Sequence, residues 1–442
     1  MSSNPIPKTS VSLGATISTN PEREEESTNR PISLKRRLRR WLWHVIARQF
    51  ALLSMIAVVI ASWIGRHRRP FNGKECEIVV TGRFDSDNWI LAHLGPLSAS
   101  KECSRLWMIS TNPVPAIQKV VAVYPPKWLM KVMGVTPARL LTFAWVAIQK
   151  RPHVVGGFHI MINGIAAVIV GRLAGARSIY FCVGGPAEIA DGGIHSADSY
   201  FTKMETADAV VEQRLLKIVS KFDIIITMGT RAVDYFRDKG IETDLHVVSG
   251  GIDPIRFQPT EEAPLYDLIL TGRLVEVKRI DICLRAIKNV VERIPGIRAV
   301  IVGNGNLHNE LQGLVGNLGI EGNVSFVGHQ DDIENWLRQS KIFVLTSDSE
   351  GLSLSMIEAM MCGLPVVVSD VGDLADLVED GINGYLVPRR SPDQFAARII
   401  ELLTDARRLE VFSKAARRSA LRYETQATIQ RWDSILANYR TS

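Results

Sequence analysis

Short apolar runs of strand length alternate with longer amphipathic segments along most of the chain, beginning at Glu77. In the first half, the strand-like runs are Ile78–Gly82, Leu106–Ser110, Val154–Phe158, Ser178–Val183, Asp223–Met228 and Asp244–Val248. Helical patterns lie between them, including Asn163–Ala174 and Thr230–Lys239. Strands that alternate with helices predict a parallel, doubly wound α/β sheet.

The second half repeats this pattern. Its predicted strands are Leu268–Thr271, Ala299–Val302, Val324–Val327, Ile342–Leu345, Val366–Ser369 and Gly384–Val387. Helical segments between them include Ile280–Arg293 and Ile333–Arg338. The chain is also longer than the roughly 250–300 residues at which single cores stop growing. We therefore expect two Rossmann-like domains that face each other across a cleft, at residues 75–255 and 256–405, followed by helices at 406–442.

The N-terminal region follows neither pattern. Residues 1–34 are rich in Ser, Thr, Asn and Pro and should be disordered. This tail is too long and too polar to be the first part of a signal peptide. Residues 35–69 form a basic and apolar segment, in which the apolar stretch Phe50–Gly65 lies between two basic runs.

The stretch Phe50–Gly65 would form a helix of about 24 Å, shorter than the roughly 30 Å hydrocarbon core of a bilayer. Extending the helix back to Trp41 gives enough length but adds His44, Arg48 and Gln49. Three interpretations remain: a membrane-embedded or interfacial anchor, a single span, or an ordinary core helix. The basic runs favour the anchor, and we expect them to contact anionic lipids at the cytoplasmic face of the membrane.

Composition narrows the class of protein. The net charge of +6 comes largely from the two basic runs. These runs lack the interleaved aromatic residues of a nucleic-acid surface, so we expect no nucleic-acid partner. The five cysteines are widely spaced and include no C-x-x-C pair. This spacing indicates free thiols in a reducing compartment and excludes a disulfide framework or a zinc site of that type.

The most informative segment runs from Asp348 to Pro388. Glu350 and Glu358 flank the turn Gly351-Leu352-Ser353-Leu354, which opens a helical run. Such a turn presents backbone N–H groups and the positive end of a helix, an arrangement that suits a phosphate.

This segment resembles the retaining nucleotide-sugar glycosyltransferases of family 4, which have the GT-B fold. The resemblance rests on E-x7-E, then A-M-x-C-G-L-P-V-V, then D-G-x-N-G-x-L-V, in that order. Upstream, 272–281 resembles the family's G-R-L-x-x-x-K segment. Residues 250–257 resemble its interdomain N-G-[IV]-D-x-x-x-F motif, with Gly250 in place of Asn. The likeness is specific from Phe222 to Pro388, and it implies a final helix that returns to the first domain.

Glycosyl transfer from a nucleotide sugar requires positive charge beside the diphosphate leaving group. Arg273 and Lys278, which follow the strand Leu268–Thr271, are the candidates, and Gly272 lies beside them. We assign the ribose hydroxyls to Glu358 and the sugar hydroxyls to Glu350. By resemblance, Gly303 and Gly305 form a loop near the nucleotide base. As a dinucleotide fingerprint this loop is incomplete, because His308 replaces the third glycine.

The acceptor side is less defined. His159 follows a strand and is a catalytic candidate if it faces the cleft; a core or a surface histidine is the alternative. Where many relatives have a histidine after the next strand, this chain has a glycine-rich loop with Gly184, Gly185 and Glu188. No His/Asp cluster has metal-ligand spacing, so we expect no metal and no cofactor besides the nucleotide-sugar co-substrate. An acceptor that is lipid-linked, or otherwise a glycan, is expected from the membrane segment.

Three other functions compete with glycosyl transfer. A glycosidase pair at Glu350 and Glu358 is disfavoured, because eight helical residues rise about 12 Å while such pairs lie roughly 5–9.5 Å apart. A sugar-nucleotide epimerase of related shape needs acid and base groups in the donor pocket and no membrane segment. A non-catalytic scaffold would have lost one of Arg273, Lys278, Glu350 or Glu358, and all four are present.

Overall fold

The computed structural model describes residues 33–67, 76–84, 86–196 and 200–439. Nearly all of the tail that we expect to be disordered lies outside these ranges. So do Arg68 and Arg69, which belong to the second basic run.

The first domain is built on a parallel sheet of seven strands in the order β3-β2-β1-β4-β5-β6-β7. Its strands are β1 (Cys76–Thr81), β2 (Cys103–Ile109), β3 (Val120–Val123), β4 (Val154–Phe158), β5 (Arg177–Cys182), β6 (Ile224–Thr227) and β7 (Asp244–Val247). The edge strand β3 is short and half exposed, which explains why the sequence pattern did not reveal it. The other six strands were predicted to within a few residues.

Helices cover both faces of this sheet. They are α1 (Leu34–Ile64), α2 (Asp87–Ala99), α3 (Lys127–Met133), α4 (Val135–Lys150), α5 (Ile165–Ala174), α6 (Ala209–Val219) and α7 (Thr230–Asp238). Alternate strand residues point to opposite faces. Ile78 and Val80 pack with α2, whereas Val79 packs on the side of α4, α5 and α6.

The second domain contains a six-stranded parallel sheet in the order β10-β9-β8-β11-β12-β13. Its strands are β8 (Tyr266–Thr271), β9 (Ala299–Val302), β10 (Val324–Gly328), β11 (Ser340–Leu345), β12 (Val366–Ser369) and β13 (Gly384–Val387). Its helices are α8 (Ile280–Val291), α9 (His308–Leu318), α10 (Ile333–Arg338), α11 (Leu354–Met361), α12 (Pro392–Thr404) and α13 (Ala406–Ala420). The predicted fold class, two doubly wound domains, is confirmed.

The last helix, α14 (Thr425–Asn438), packs against α2 of the first domain. Its Asp433 accepts hydrogen bonds from the Ser100 hydroxyl at 2.6 Å and from the Lys101 backbone N–H at 2.9 Å. Ile252, in the linker, pairs with Glu424 in an isolated parallel bridge. The chain therefore crosses between the domains twice, at the linker and before α14.

Helix α1 is much longer than the apolar stretch that the sequence marked, and it lies on the first domain along its length. Ala47, Ala51, Ser54, Val58 and Ala61 form its buried face, and the neighbouring helices are α5 and α6. Beyond its last turn, the backbone N–H of Arg66 donates to the carbonyl of Arg172 at 3.0 Å. The helix is long and apolar enough to cross a membrane by length and composition.

The cations of α1 have partners within the protein. Arg36, Arg39 and Arg40 all donate to Glu205, at 2.9, 3.2 and 2.9 Å, and these bonds lower the pKa of that carboxyl to about 2. Asp208 is bonded by His44 and Arg48, at 2.6 and 2.8 Å. The polar residues that count against a membrane helix thus hold α1 on its own domain. Lys35 and Arg37, which also belong to the first basic run, are exposed as well.

Candidate active site

The donor-side residues meet at the carboxyl ends of β8 and β11. Strand β8 leads into the turn that carries Arg273 and Lys278, and β11 leads into the loop from Thr346 to Ser353. These strands are neighbours in the sheet, so their two loops must lie side by side. A hydrogen bond of 2.8 Å from the Asp348 backbone N–H to the Val277 carbonyl joins the two loops.

Lys278 and Glu350 form an ion pair. The Lys278 Nζ lies 2.6 Å from Glu350 Oε1, and the Ser347 hydroxyl donates to the same oxygen at 2.5 Å. Both charged side chains are largely buried, with 17% and 11% of their surface exposed. Two sequence-predicted residues 72 positions apart are therefore brought together, and a ligand that contacts one of them also contacts the other.

Arg273 lies on the same turn, is exposed, and forms no ion pair within the described part of the chain. Its neighbour Arg279, which the sequence did not single out, is instead committed to structure. Arg279 bonds Asp281 at 2.8 Å and Asp348 at 3.4 Å, and Arg390 bonds Asp348 at 2.7 Å. Arg273 is consequently the cation of this turn that remains available to an incoming anion.

The turn after β11 ends in α11, whose N-cap is Ser353 with its hydroxyl accepting from Met356 N–H. The helix has no acidic residue in its first turn, so its positive end is not neutralised locally. The Leu352 side chain is buried in the core, which leaves only its backbone for a ligand. Leu354 packs close to Gly250 of the interdomain linker.

Glu358 lies one turn inside α11 and is 7% exposed. Burial raises the pKa of its carboxyl to about 8, with Arg256 opposing the shift and Glu334 adding to it. Arg256 itself joins the two domains, since it donates to Asn88 of α2 at 2.9 Å and to Glu334 of α10 at 2.9 Å. Glu358 is therefore a buried carboxyl and not a solvated residue on the surface of the helix.

Glycines allow the donor-side loops to approach each other. A Cβ on Gly303 would lie 1.8 Å from the Gly272 carbonyl oxygen, and one on Gly305 would lie 2.3 Å from that of Leu274. Gly303 also has φ +145°, a conformation that favours glycine. The close packing of the two loops therefore explains why both positions are glycine, whether or not the nucleotide base contacts them.

On the acceptor side, Glu188 is the centre of a buried network. It is 1% exposed and accepts from the Ile160 N–H at 2.8 Å, the Tyr180 hydroxyl at 2.8 Å and the Gly184 N–H at 2.6 Å. His159 Nδ1 lies 3.0 Å from the same carboxylate. Sequence analysis placed Glu188 in a loop with no defined role; the structure makes it the anchor of that loop and of His159.

The glycine-rich loop of the first domain reaches the donor loop of the second. A Cβ on Gly351 would lie 2.3 Å from the Val183 carbonyl oxygen, and one on Gly185 would lie 3.6 Å from that of Glu350. The two loops therefore form the floor of one site between the domains. His159 and Lys278 belong to the opposite walls of that site.

Three aspartates that were not predicted as site residues also lie between the domains. Asp376 accepts from the Thr230 N–H and hydroxyl, both at 2.6 Å, at the start of α7, and Asp370 bonds Arg231 at 2.8 Å. Asp373 is fully buried between them, and burial raises the pKa of its carboxyl to about 6. In the sequence these aspartates appear only as a D-x-x-D-x-x-D spacing after β12. Their role becomes clear only from the structure, in which α7 lies opposite them.

A cavity of about 640 Å³ lies on the other side of the donor loop, lined by Asp348, Asp370, Gly372, Leu386, Pro388 and Arg389. Among the residues that the structure describes, no group of three or more His, Cys, Asp or Glu side chains is placed to hold a metal ion.

Comparison with known proteins agrees with this geometry. Residues 252–419 match the family described as glycosyl transferases group 1. The chain is 32% identical over 219 residues to a D-inositol 3-phosphate glycosyltransferase of Kribbella flavida, an alignment that covers 45% of this chain and 51% of that protein. It is 32% identical over 163 residues to a poly(ribitol-phosphate) alpha-N-acetylglucosaminyltransferase of Staphylococcus aureus, covering 36% of this chain and 33% of the relative.

The aligned segments therefore span about half, or less, of these curated relatives. The similarity in structure extends further. The crystal structure of Anabaena Alr3699/HepE in complex with UDP superposes with a TM-score of 0.63 and 16% identity, covering 82% of this chain and all of that one. The chain thus has the GT-B fold, and its residues 252–419 match the group 1 glycosyl transferase family.

Proposed function

We propose that this protein, which has the GT-B fold and matches the group 1 glycosyl transferase family over residues 252–419, transfers a sugar from a nucleotide-diphosphate sugar to an acceptor. One observation carries the proposal: Lys278, Glu350 and the start of α11 converge at the carboxyl edge of the second sheet, with Arg273 exposed beside them. This edge is where ligands bind in open α/β sheets.

In the proposed reaction, the bond between the anomeric carbon and the diphosphate oxygen breaks, and its electron pair leaves with the diphosphate. Arg273, Lys278 and the N–H groups at the start of α11 stabilise that developing charge in surroundings with little water. The acceptor hydroxyl oxygen forms the new bond on the same face of the sugar, so that the configuration is retained, and the hydroxyl proton passes to the departing diphosphate oxygen. Glu358 binds the ribose, and Glu350 contacts the sugar while it orients Lys278.

We further propose that no divalent ion takes part, because side-chain cations and a helix terminus already lie where the diphosphate would be. This proposal is supported by the charge arrangement alone. The test is whether sugar transfer continues at the same rate in the presence of EDTA.

The acceptor is proposed to be lipid-linked and to be reached from the cytoplasmic face of the membrane. The relatives named above act on an inositol phosphate and on a poly(ribitol-phosphate), so soluble and polymeric acceptors both occur among them. In this chain, α1 presents the exposed residues Leu42, Ile46, Leu53, Ile56, Ile60 and Trp63. These residues share one face of the helix, opposite the face that packs on α5 and α6.

We propose that α1 lies on the membrane surface instead of crossing it. A crossing would separate its buried face from α5 and α6, and would break the bonds to Glu205 and Asp208. A helix that stays on its domain exposes only its outer face, which is the geometry of an interfacial helix.

The test measures sugar release from a set of nucleotide sugars by the full-length protein, with and without lipid extract. Arg273→Ala should abolish most of the activity, whereas Arg298→Ala, an exposed arginine at the opposite edge of the same sheet, should leave it unchanged. No turnover of any nucleotide sugar by the wild type, or equal activity in both variants, would refute the proposed function.

A further inference from the structure

The helices α3 and α4 carry an exposed apolar surface that the proposed chemistry does not use. Helix α3 has no buried residue, yet it contains Trp128 and Val132, which are 66% and 78% exposed. On α4, Trp145 is 61% exposed, and Leu141 lies on the same side. Large apolar side chains that are exposed together on two consecutive helices indicate an interaction surface for a protein or a membrane.

The charges around this surface are of one sign. Between Glu102 and Glu188 the sequence contains no carboxylate, whereas it contains several lysines and arginines. Among the labelled helices, only α1, α3, α4 and α5 lack Asp and Glu. These four helices are neighbours in space, because α5 packs against both α1 and α4, and α4 packs against α3.

Exposed cations frame the apolar residues. Lys127 and Lys131 are exposed on α3, and Lys150 is exposed at the end of α4. Tryptophan beside lysine, without carboxylates, complements a surface with an apolar interior and anionic headgroups. A protein partner would not require the exclusion of every carboxylate from four adjacent helices.

The position of the surface agrees with this chemistry. Helix α3 follows β3, and the start of α4 is held at the carboxyl edge of the first sheet, where Arg139 donates to the Gly82 carbonyl and to Asn163. This is the edge that also holds His159 and the glycine-rich loop. The exposed surface of α3 and α4 therefore lies beside the acceptor side of the cleft.

We propose that Trp128, Val132 and Trp145, with Lys127 and Lys131, form a second membrane contact that binds anionic lipid independently of α1 and holds the acceptor side of the cleft against the bilayer. The inference rests on the proposed function in one respect: a lipid-linked acceptor would then enter the cleft past α3. Binding to the bilayer itself does not depend on the sugar that is transferred.

Flotation of the full-length protein with vesicles tests the proposal, using phosphatidylcholine alone or mixed with phosphatidylglycerol. The triple variant Trp128→Ser/Val132→Ser/Trp145→Ser should bind mixed vesicles at least about tenfold more weakly. A control variant, Val411→Ser/Ile382→Ser, removes exposed apolar residues from the second domain and should bind like the wild type.

Charge reversal provides the second arm. Lys127→Glu/Lys131→Glu should reduce binding to the anionic vesicles by about tenfold or more and leave binding to phosphatidylcholine nearly unchanged. The matched control Arg407→Glu/Arg418→Glu makes the same change in net charge on exposed residues of α13. If that control lowers binding equally, net charge explains the effect and the proposed contact is wrong.

Two further readouts separate the outcomes. Donor hydrolysis should stay at the wild-type rate in both α3–α4 variants, while transfer to a lipid acceptor falls; an inactive wild type would refute the proposed function without affecting the vesicle result. Wild-type vesicle binding by the triple variant would overturn the proposal. Loss of a dimer by sedimentation velocity, with vesicle binding unchanged, would assign the surface to a second copy of the chain instead.

Discussion

The substitution Glu358→Gln should make the protein more stable at alkaline pH while it weakens nucleotide binding. The Glu358 carboxyl is buried in α11, and its pKa is raised from 4.5 to about 8. The folded protein therefore holds this proton more tightly than the unfolded chain does. The free energy of unfolding of the wild type therefore falls as the pH rises from about 4.5 to about 8. Above pH 8 the destabilisation by the ionised carboxylate is constant.

The size of the effect follows from that shift. The shift of the pKa from 4.5 to about 8 sets an upper bound of about 4–5 kcal/mol on the destabilisation above pH 8. The glutamine amide must also be desolvated, and partial hydration lowers the penalty of the carboxylate, so we expect a net gain of about 1–3 kcal/mol. Below about pH 5, where the carboxyl is protonated in both states, the gain should vanish.

Nucleotide binding should change in the opposite direction. If Glu358 accepts hydrogen bonds from the ribose hydroxyls, the loss of a charged acceptor should reduce affinity by roughly 10- to 100-fold. The loss should be similar for nucleoside diphosphates with different bases, since the ribose is common to them. A residue that is kept despite lowering stability is best explained by its contact with a ligand.

The assay is denaturant unfolding of wild type and variant at pH 5 and pH 9, paired with titration calorimetry of nucleoside diphosphates. Glu310→Gln, at an exposed position on α9, is the control and should change neither measurement. A variant that is less stable than wild type at pH 9, or a difference that does not depend on pH, would show that the pKa of Glu358 is not raised in the folded protein. Unchanged nucleotide affinity would remove the ribose assignment.

The remaining predictions concern the diphosphate, the sugar, the metal and the membrane. Arg273→Ala or Lys278→Ala should lower turnover by roughly two to three powers of ten, measured as sugar transfer, and near-normal rates in both would contradict the proposed clamp. Glu350→Gln should leave Lys278 without its partner and reduce sugar-dependent turnover more than nucleotide affinity; the reverse split would exclude a sugar contact. EDTA should not reduce activity, and complete loss restored by manganese or magnesium would show that a divalent ion is required. Deletion of residues 1–69 should weaken membrane pelleting while slow donor hydrolysis continues, and undiminished pelleting would show that α1 is dispensable for membrane binding.

The second domain could be predicted in detail because most of its strands are continuous apolar runs with buried residues. Val366–Ser369 and Gly384–Val387 begin and end where the pattern placed them. The first domain was predicted less completely. The strand Val120–Val123 lies at the sheet edge and is only half covered, and although its four residues are all apolar, it was not recognised as a strand.

The candidate site was predictable where spacing along one element carries the information. Residues that approach from distant loops were recognised separately, but their pairing was not; Lys278 and Glu350 became partners only through the adjacency of β8 and β11. Glu188 was harder still. Its carboxylate bonds four groups that come from β5 and from the loops after β4 and β5, and the local sequence does not indicate that these groups converge.

The N-terminal helix shows what composition alone could not reveal about the polar residues of the membrane segment. Sequence analysis counted His44 and Arg48 as an obstacle to a longer helix, since charged groups are unfavourable in hydrocarbon. In the structure their partner is Asp208, which also caps α6 through the Val210 N–H at 3.0 Å. These charges are paired with a carboxylate of the same domain, although Arg48 itself stays half exposed.

The same arrangement relates the membrane to the active site. Glu205 and Asp208, which hold the first half of α1, belong to the segment between β5 and α6, downstream of the loop that Glu188 anchors. The surface of α3 and α4 begins at that same carboxyl edge of the first sheet. A bilayer that contacts both surfaces would lie along the first domain and leave the donor loops of the second domain in water, where a soluble nucleotide sugar can reach them.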